Sequence, residues 1–555
     1  MSEKNMRILI LGAGVMQGPA LSIAAEMGLE TVAADMDPGA SCVSMADRFE
    51  KVDVKDREGI EELARSLMEN GGLSGIMTAG TDFSANVAWA AEKLKLPGIP
   101  YENALDASDK ERMRRRFREA GVPSPEFIIM ESPPEEGCAL PFSWPAVVKP
   151  VDNMGARGCR RVDDFAELKA AVIEALKFSR SGRAIVEEFM EGPEFSADAL
   201  VYQGEITITG FADRHIFFPP YFIEMGHTIP SAENPEQIKS LLEAFCRGIK
   251  ALGITNGAAK GDIKLTSRGP MIGEIAARLS GGYMSGWTYP YSSGVLPTRG
   301  AIEIAIGEKP GNLKPQWNHV SAERAFISIP GRVKTIIGVE KAKAIPFIKN
   351  IFMRIKPGDS VSFPENNVSK CGNVISAAEN REDAVNAAQR AALSVLIRLE
   401  APNDATSAFL SRFCEVMPNS DEKLEKTAFP PDAFTIDSRL FKLLAALPET
   451  SSGAIENITR HHSKGNLQPE YFRIIPFPEF SESSLKDYAG RSAHESLDAV
   501  RALTALELPL GNLGEKSSEY DLFLGQSFWK ALIRGGYQGA VYYIDSLGNN
   551  GPCTI

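Results

Sequence analysis

The sequence predicts a multidomain protein of the α/β and α+β classes that opens on a parallel-sheet α/β domain. Three observations lead there. Short apolar runs of strand length alternate with helix-length amphipathic runs through the first hundred residues, the pattern of a mostly parallel sheet covered by helices. The 555 residues correspond to three or four domains at ~150 residues each. A content of 44% apolar and 24% charged residues supplies several buried cores and excludes global disorder.

The elements follow in order. Arg7 to Leu11 is a short apolar strand. Gly12, Gly14 and Gly18 come next, then an Ala-rich helical pattern from Pro19 to Met27. Thr31 to Ala34 is a second strand ending at Asp35. Strands at Phe49 to Val52 and Gly75 to Met77 alternate with helices at Arg57 to Glu69 and Ala85 to Leu94. The first domain is placed at residues 1–105. Its glycines are spaced GxGxxxG, not the GxGxxG of a dinucleotide fingerprint. Three readings stay open for this turn: NAD binding with Asp35 on a ribose, a plain strand-to-helix turn, or a helix N-terminus at Gly14 that meets an anionic substrate.

Residues 106–315 carry the chemistry. Asp109 opens a charged helix that Gly121-Val-Pro-Ser-Pro125 stops. Phe127 to Met130 is a strand, and Trp144 to Pro150 is a strand with Lys149 near its end. A glycine loop with Gly155 and Gly158 follows, then a strand at Cys159 to Val162 and a helix at Phe165 to Leu176. Ala184 to Phe189 is a strand, and Phe195 to Val201 pairs with Ile206 to Gly210. A helix covers Pro235 to Ala251, and Gly261 to Leu265 forms a hairpin with Pro270 to Ile275. Val295 to Ile306 is a helix. Residues 316–401 read as strands and turns ahead of a helix from Arg381 to Leu396, and the pattern changes after Pro402.

Composition narrows the function. The 60 basic and 72 acidic residues leave a net charge of −12, which disfavours nucleic acid or an acidic membrane as partner. Arg112, Arg114, Arg115, Arg116 and Arg118 read as a solvated helix face. The seven cysteines form no CxxC pair, against a disulfide scaffold or a zinc or iron–sulfur cluster. The opening MSEKNMRILILGAG lacks the apolar segment of a signal peptide, and no run reaches the ~18 apolar residues of a membrane helix. The expectation is a soluble cytoplasmic protein, with a homodimer left open.

Four features converge on phosphate chemistry. Lys110 and Lys149 offer cations beside a glycine loop whose N–H groups suit phosphate. Glu187-Glu188-Phe189 with Glu194 offers acceptors and an apolar wall for a nucleoside. Asp262 and Glu274, on neighbouring strands of one hairpin, suit Mg2+, with Mn2+ as a substitute. Arg278 brings a fixed fork of donors for a phosphoryl group or a carboxylate. No Walker A loop, HExxH or GxSxG elbow occurs. Glu224 and His227, in an aromatic segment, are substrate-contact candidates.

This ordered set resembles the ATP-grasp superfamily, in the carboxylate–amine ligase branch related to biotin carboxylase, carbamoyl-phosphate synthase and amino-acid ligases. The resemblance runs over about residues 7–400. It rests on GAGVMQGPAL, Asp109-Lys110, WPAVVKP, the loop to Gly158, VEEFMEGPEFS and GDIKLTSRGPMIGEIAARLSGG. It implies an ATP-grasp fold preceded by the α/β domain, with GRVKTIIG to CGNVISA as the C-terminal lobe. It also implies that Lys110 and Lys149 hold ATP phosphates, with Lys149 and Arg278 catalytic and the 152–158 loop closing over them. Glu187, with the groups around it, would meet adenine and Glu194 the ribose, while Asp262 and Glu274 would hold Mg2+. The implied reaction joins a small-molecule carboxylate and an amine through an acyl phosphate.

One position departs from the family pattern: Ala276 stands where an Asn would be a further metal ligand. An ATP-binding module with impaired catalysis is therefore the alternative, with an NAD-dependent oxidoreductase behind it. Residues 402–555 carry no motif and are read as an additional domain. In it, Leu440 to Leu447 and Leu497 to Leu506 are expected to be helical and Gly539 to Ile544 a strand. His461 and His462 are expected to be exposed, and Phe528, Trp529, Tyr537, Tyr542 and Tyr543 to be packed.

Overall fold

The computed structural model describes residues 6–135, 137–218 and 220–411, and beyond these residues 531, 535, 538, 539, 541–543, 545 and 546. The chain forms two compact units. The first takes residues up to His215, His227–Ala322 and Ala377–Arg381. The second takes Ile216–Gly226, Glu323–Ser376 and the described residues from Glu382 onward.

The first unit begins with a four-stranded sheet ordered β3-β2-β1-β4, built from β1 (Arg7–Leu11), β2 (Glu30–Asp35), β3 (Arg48–Lys51) and β4 (Gly75–Thr78). All its pairings are parallel. Such a sheet is buried on both faces, which is why β1 is an unbroken apolar run. Ile8 and Ile10 pack with Ala20, Leu21 and Ala24 of α1 (Gly18–Glu26). Leu9 and Leu11 pack on the other side with Ile60, Ala64 and Leu67 of α2 (Arg57–Glu69). Asp56 caps α2 by accepting from the Gly59 N–H. Two further helices, α3 (Ser84–Lys93) and α4 (Tyr101–Asp106), lead to α5 (Lys110–Glu119).

A small antiparallel sheet ordered β5-β8-β6-β7 follows, made of β5 (Phe127–Met130), β6 (Ala146–Pro150), β7 (Arg160–Val162) and β8 (Ala184–Glu188). Its Val148, Val162 and Val186 pack on Leu168, Val172 and Ala175 of α6 (Phe165–Phe178). Next come β9 (Glu194–Tyr202), β10 (Glu205–Phe217), β11 (Ile223–Ile229), α7 (Pro235–Ala251), β12 (Gly257–Thr266) and β13 (Gly269–Ala276). Strand β9 pairs antiparallel with β10 on one edge and β12 on the other, and β12 pairs with β13.

The two-residue period of these strands sorts the side chains. Phe195, Ala197, Ala199, Ile263 and Ile275 bury against Phe245 and Ile249 of α7. The alternate residues Glu194, Ser196, Asp198, Lys260, Asp262 and Glu274 therefore share the opposite face. The unit continues with α8 (Tyr289–Ser293) and α9 (Pro297–Ala305), the latter shorter than the helix expected from Val295 to Ile306.

The second unit contains β14 (Val320–Phe326, from Glu323), β15 (Gly331–Ile337), α10 (Val339–Lys343), β16 (Ile348–Met353), β17 (Ser360–Val361) and β18 (Gly372–Ala378, to Ser376). After them come α11 (Arg381–Ser394, from Glu382), β19 (Leu396–Leu399) and α12 (Asp404–Ser411). Strand β15 pairs antiparallel with β17 and β19, and β16 with β18. The expected helix to Leu396 stops at Ser394, because Leu396 to Leu399 pairs as a strand.

Described residues beyond 530 pack onto this unit. Gln538 donates to Ile397 C=O and accepts from the Ile329 N–H, and Arg398 pairs with Asp545. Tyr542 and Tyr543 are buried, as expected of them. The strand expected from Gly539 is instead helical at 538–539 and 541–543. The β propensity of Val-Tyr-Tyr does not decide the local structure here. Residues 440–447, 461, 462, 497–506, 528, 529 and 537 lie outside the described residues. No helix among the described residues is long and apolar enough to cross a membrane.

Candidate functional site

The glycine turn after β1 is filled by the chain itself. Gly12 has φ +95°, and a Cβ there would lie 2.9 Å from Gln17 Cδ. Gln17 is buried, accepts from the Gly14 N–H at 3.0 Å and donates to Ala79 C=O. Asp35 accepts from the N–H groups of Ala13 and Asp37. A dinucleotide would need the space that Gln17 takes and the carboxylate that Asp35 spends on its own loop. The NAD reading and the Gly14 substrate contact both fail on this geometry.

The lysine pair is built from two elements. Asp109 caps α5 and so fixes Lys110 in its first turn. Lys110 is 5% exposed, donates to Asn153 C=O at 2.8 Å and lies 3.6 Å from Glu274 Oε1. Lys149 projects from β6, with Nζ 2.6 Å from Glu187 Oε2. The other Glu187 oxygen lies 2.8 Å from Arg114 Nε, and both Arg114 and Glu187 are buried. Burial alone would raise the Glu187 carboxyl, but Arg114 and Lys149 outweigh it and hold it below its ordinary value. Glu187 is therefore the shared counter-ion of Lys149 and Arg114. Arg114 is likewise no solvated residue: Lys110, Met113, Arg114 and Phe117 form the buried stripe of α5.

The neighbouring candidates sit close by. Glu188 pairs with Arg268, and Glu194 with Arg214 and Lys264. Arg161 and Lys264 place their charges 4.9 and 5.2 Å from the Phe189 ring centre. The 152–158 loop is tied at its base, where Asp152 accepts from Ser179 Oγ and from the N–H groups of Arg180 and Ser181. Gly155, Ala156 and Gly158 have φ of +69°, +60° and +65°.

Asp262 and Glu274 are directly opposed in register, so both stand on the charged face. Lys110, Lys149, Lys260 and Arg278 surround Glu274. Burial pushes its carboxyl up, but those cations dominate and hold it at about 2. Asp262 pairs with Arg214 at 2.6 Å and with Lys260. Buried Asp198, bonded to Ser280 Oγ, is pushed up to about 7 by desolvation, against the opposing pull of Ser280, Lys260 and Arg278. Arg278 donates to Leu279 C=O at 2.9 Å. The turn after it meets the first sheet: Ala79 bridges Leu279, and a Cβ on Gly80 would lie 3.2 Å from Gly281 Cα.

Motif reading missed Arg114, Asp198, Arg214 and Lys260. Two-residue spacing from Asp262 along β12 marks Lys260, and helical spacing from Lys110 marks Arg114. Asp198 and Arg214 carry no such local signal, since strand pairing alone brings them to the site. His227 is fully buried, and its Nε2 bonds Thr288 Oγ1 at 2.8 Å. The Glu224 N–H donates to Asn367 Oδ1 at 2.7 Å, and its carbonyl accepts from Lys370 Nζ. Three residues apart on β11, Glu224 and His227 point to opposite faces and do not form one contact pair.

Residues 142–286 match the ATP-grasp domain family, and residues 325–400 match the L-amino acid ligase C-terminal domain 2. The L-amino acid ligase from Bacillus licheniformis superposes with a TM-score of 0.63 at 21% identity, covering 72% of this chain and 100% of that one. This is the ATP-grasp fold. Two sequence relatives of this chain are carnosine synthase 1 of Gallus gallus and alanine–anticapsin ligase of Bacillus subtilis. The first is 24% identical over 332 residues, 55% of this chain and 35% of that protein. The second is 29% identical over 254 residues, 41% of this chain and 53% of that protein. The chain thus spans about a third to a half of the length of these two relatives.

Among the described residues no group of three or more His, Cys, Asp or Glu is placed to hold a metal alone. The donor set nevertheless fits a hard cation shared with phosphates: two opposed carboxylates, one of them held ionised at about 2.

Proposed function

We propose that this chain is an ATP-dependent carboxylate–amine ligase acting on amino-acid-like substrates. The observation that carries the reading is the convergence of Lys110, Lys149 and Arg278 around Glu274 on one face of the ATP-grasp sheet. The amino-acid class is supported by relatives named alanine–anticapsin ligase and L-amino acid ligase.

Lys110 and Lys149 hold the nucleotide phosphates, each already anchored, by Asn153 and Glu187 respectively. Glu274 and Asp262 are the residues that would hold Mg2+, which when bound neutralises phosphate charge. A substrate carboxylate oxygen attacks the γ-phosphorus, and the bond to the β-phosphate oxygen breaks, giving ADP and an acyl phosphate. The amine nitrogen then attacks the acyl carbon. The carbon–oxygen bond to phosphate breaks, the nitrogen loses its proton, and an amide and phosphate leave. Arg278 faces the charge that develops on the transferred group. The work is positioning and charge stabilisation.

ADP release with panels of amino acids tests this, with hydroxylamine added to trap the acyl phosphate as a hydroxamate. Amino-acid-stimulated ADP and hydroxamate are expected. ATP binding with neither product from any pair supports the impaired-catalysis reading, which Ala276 favours.

A further inference from the structure

Lys260 is a further cation on the carboxylate face, beyond the phosphate-binding lysines and Arg278. Lys260 lies two residues before Asp262 on β12, so both project from the same side. It is nearly buried, at 13% side-chain exposure, and is paired with Asp262 Oδ1. The same oxygen also meets Arg214. In register, Lys260 stands between Asp198 on β9 and Ala276 on β13. Ala276 offers only a methyl group, which leaves room for the lysine and adds no donor atom.

This arrangement counts against two divalent ions. An ion needs oxygen ligands, and Asp262 already shares an oxygen between two side-chain cations. A second ion there would sit against a fixed ammonium with no ligand from position 276. Among the described residues, the ion pair at Glu274 is looser, with Lys110 Nζ 3.6 Å from its Oε1.

We propose that Lys260 takes the place of a second divalent ion, so that the site binds a nucleoside triphosphate with one Mg2+ held chiefly by Glu274. The lysine ammonium is then the fixed second cation facing the phosphates, and Asp262 holds it there. This rests on the nucleotide reading above and adds a count of metal ions and a role for Lys260.

The test is Mn2+ binding by the full chain with a non-hydrolysable ATP analogue, following free Mn2+ by paramagnetic resonance. One Mn2+ per bound nucleotide is expected in the wild type and in Lys260→Arg. Lys260→Met should weaken nucleotide binding at least tenfold. The double variant Lys260→Met/Ala276→Asn should bind two Mn2+ per nucleotide. Two ions per nucleotide in the wild type overturn the proposal and leave the nucleotide reading standing, and this outcome needs no variant to fold. Unchanged affinity in a folded Lys260→Met also overturns it. No saturable nucleotide binding in the wild type overturns the nucleotide reading itself, and this proposal with it.

Discussion

Glu187 shows how burial reassigns a residue. Its oxygens are divided between Lys149 and Arg114, so under the proposed function it would act on a nucleotide through the lysine. Glu187→Gln is therefore expected to raise KM for ATP several-fold while leaving the preference for ATP over GTP unchanged. A direct base contact would alter that preference, so nucleotide competition kinetics decide between the two. Removing Arg114 instead leaves a buried carboxylate with one cation, and Arg114→Ala should cost about 3–5 kcal/mol in urea unfolding. Asp198 gives a pH signature. Its carboxyl is raised to about 7, so the folded chain keeps a proton that the unfolded chain has already lost. Stability should fall as pH rises from about 4 to 7, and Asp198→Asn should flatten the melting temperature over that window. Lys110, Lys149, Asp262, Glu274 and Arg278 stood out in the sequence by their order and spacing, beside a glycine loop and along one hairpin. The partners that set their charge did not, because pairing across β9, β10, β12 and β13 is a non-local fact.

At the scale of elements, periodicity carried far. The helices Arg57–Glu69 and Pro235–Ala251 have the bounds that their amphipathic pattern and caps imply. β11 escaped, because its FIEMGHTI run mixes polar and apolar residues without a clean alternation. The helical residues 539 and 541–543 were read as a strand because aromatic and β-branched neighbours mimic one. The loop at 152–158 makes its own prediction. Asp152 is pushed up by burial, but its bonds to Ser179, Arg180 and Ser181 prevail and hold its carboxyl below the usual range. Asp152→Ala should free the loop base, speed tryptic cleavage at Arg157 and raise KM for ATP with kcat little changed. Gly158→Val places a Cβ at φ +65° and 2.8 Å from Phe178 Cδ2. It should destabilise by about 1–3 kcal/mol, read by thermal melting.

For the whole chain, the second unit depends on residues far along the sequence. Gln538, Tyr542 and Asp545 bond to Ile329, Asn403 and Arg398. A chain cut after Ser411 leaves Arg398 unpaired and should lose several degrees of melting temperature for that unit, measured by differential scanning calorimetry. The net charge of −12 is no guide to the site, where Lys110, Lys149, Lys260 and Arg278 gather. The contact between Gly80 and Gly281 has an evolutionary consequence. A Cβ on Gly80, at φ +63°, would crowd Met16 Cβ at 3.1 Å and Gly281 Cα at 3.2 Å, whereas one on Gly281 would meet Gly80 Cα at an ordinary 3.4 Å. Position 80 therefore carries the constraint, and position 281 has more freedom to drift. A library randomised at both codons and selected for activity should return glycine at 80 and other small residues beside glycine at 281, which makes position 80 a boundary on the paths by which this sequence can diverge.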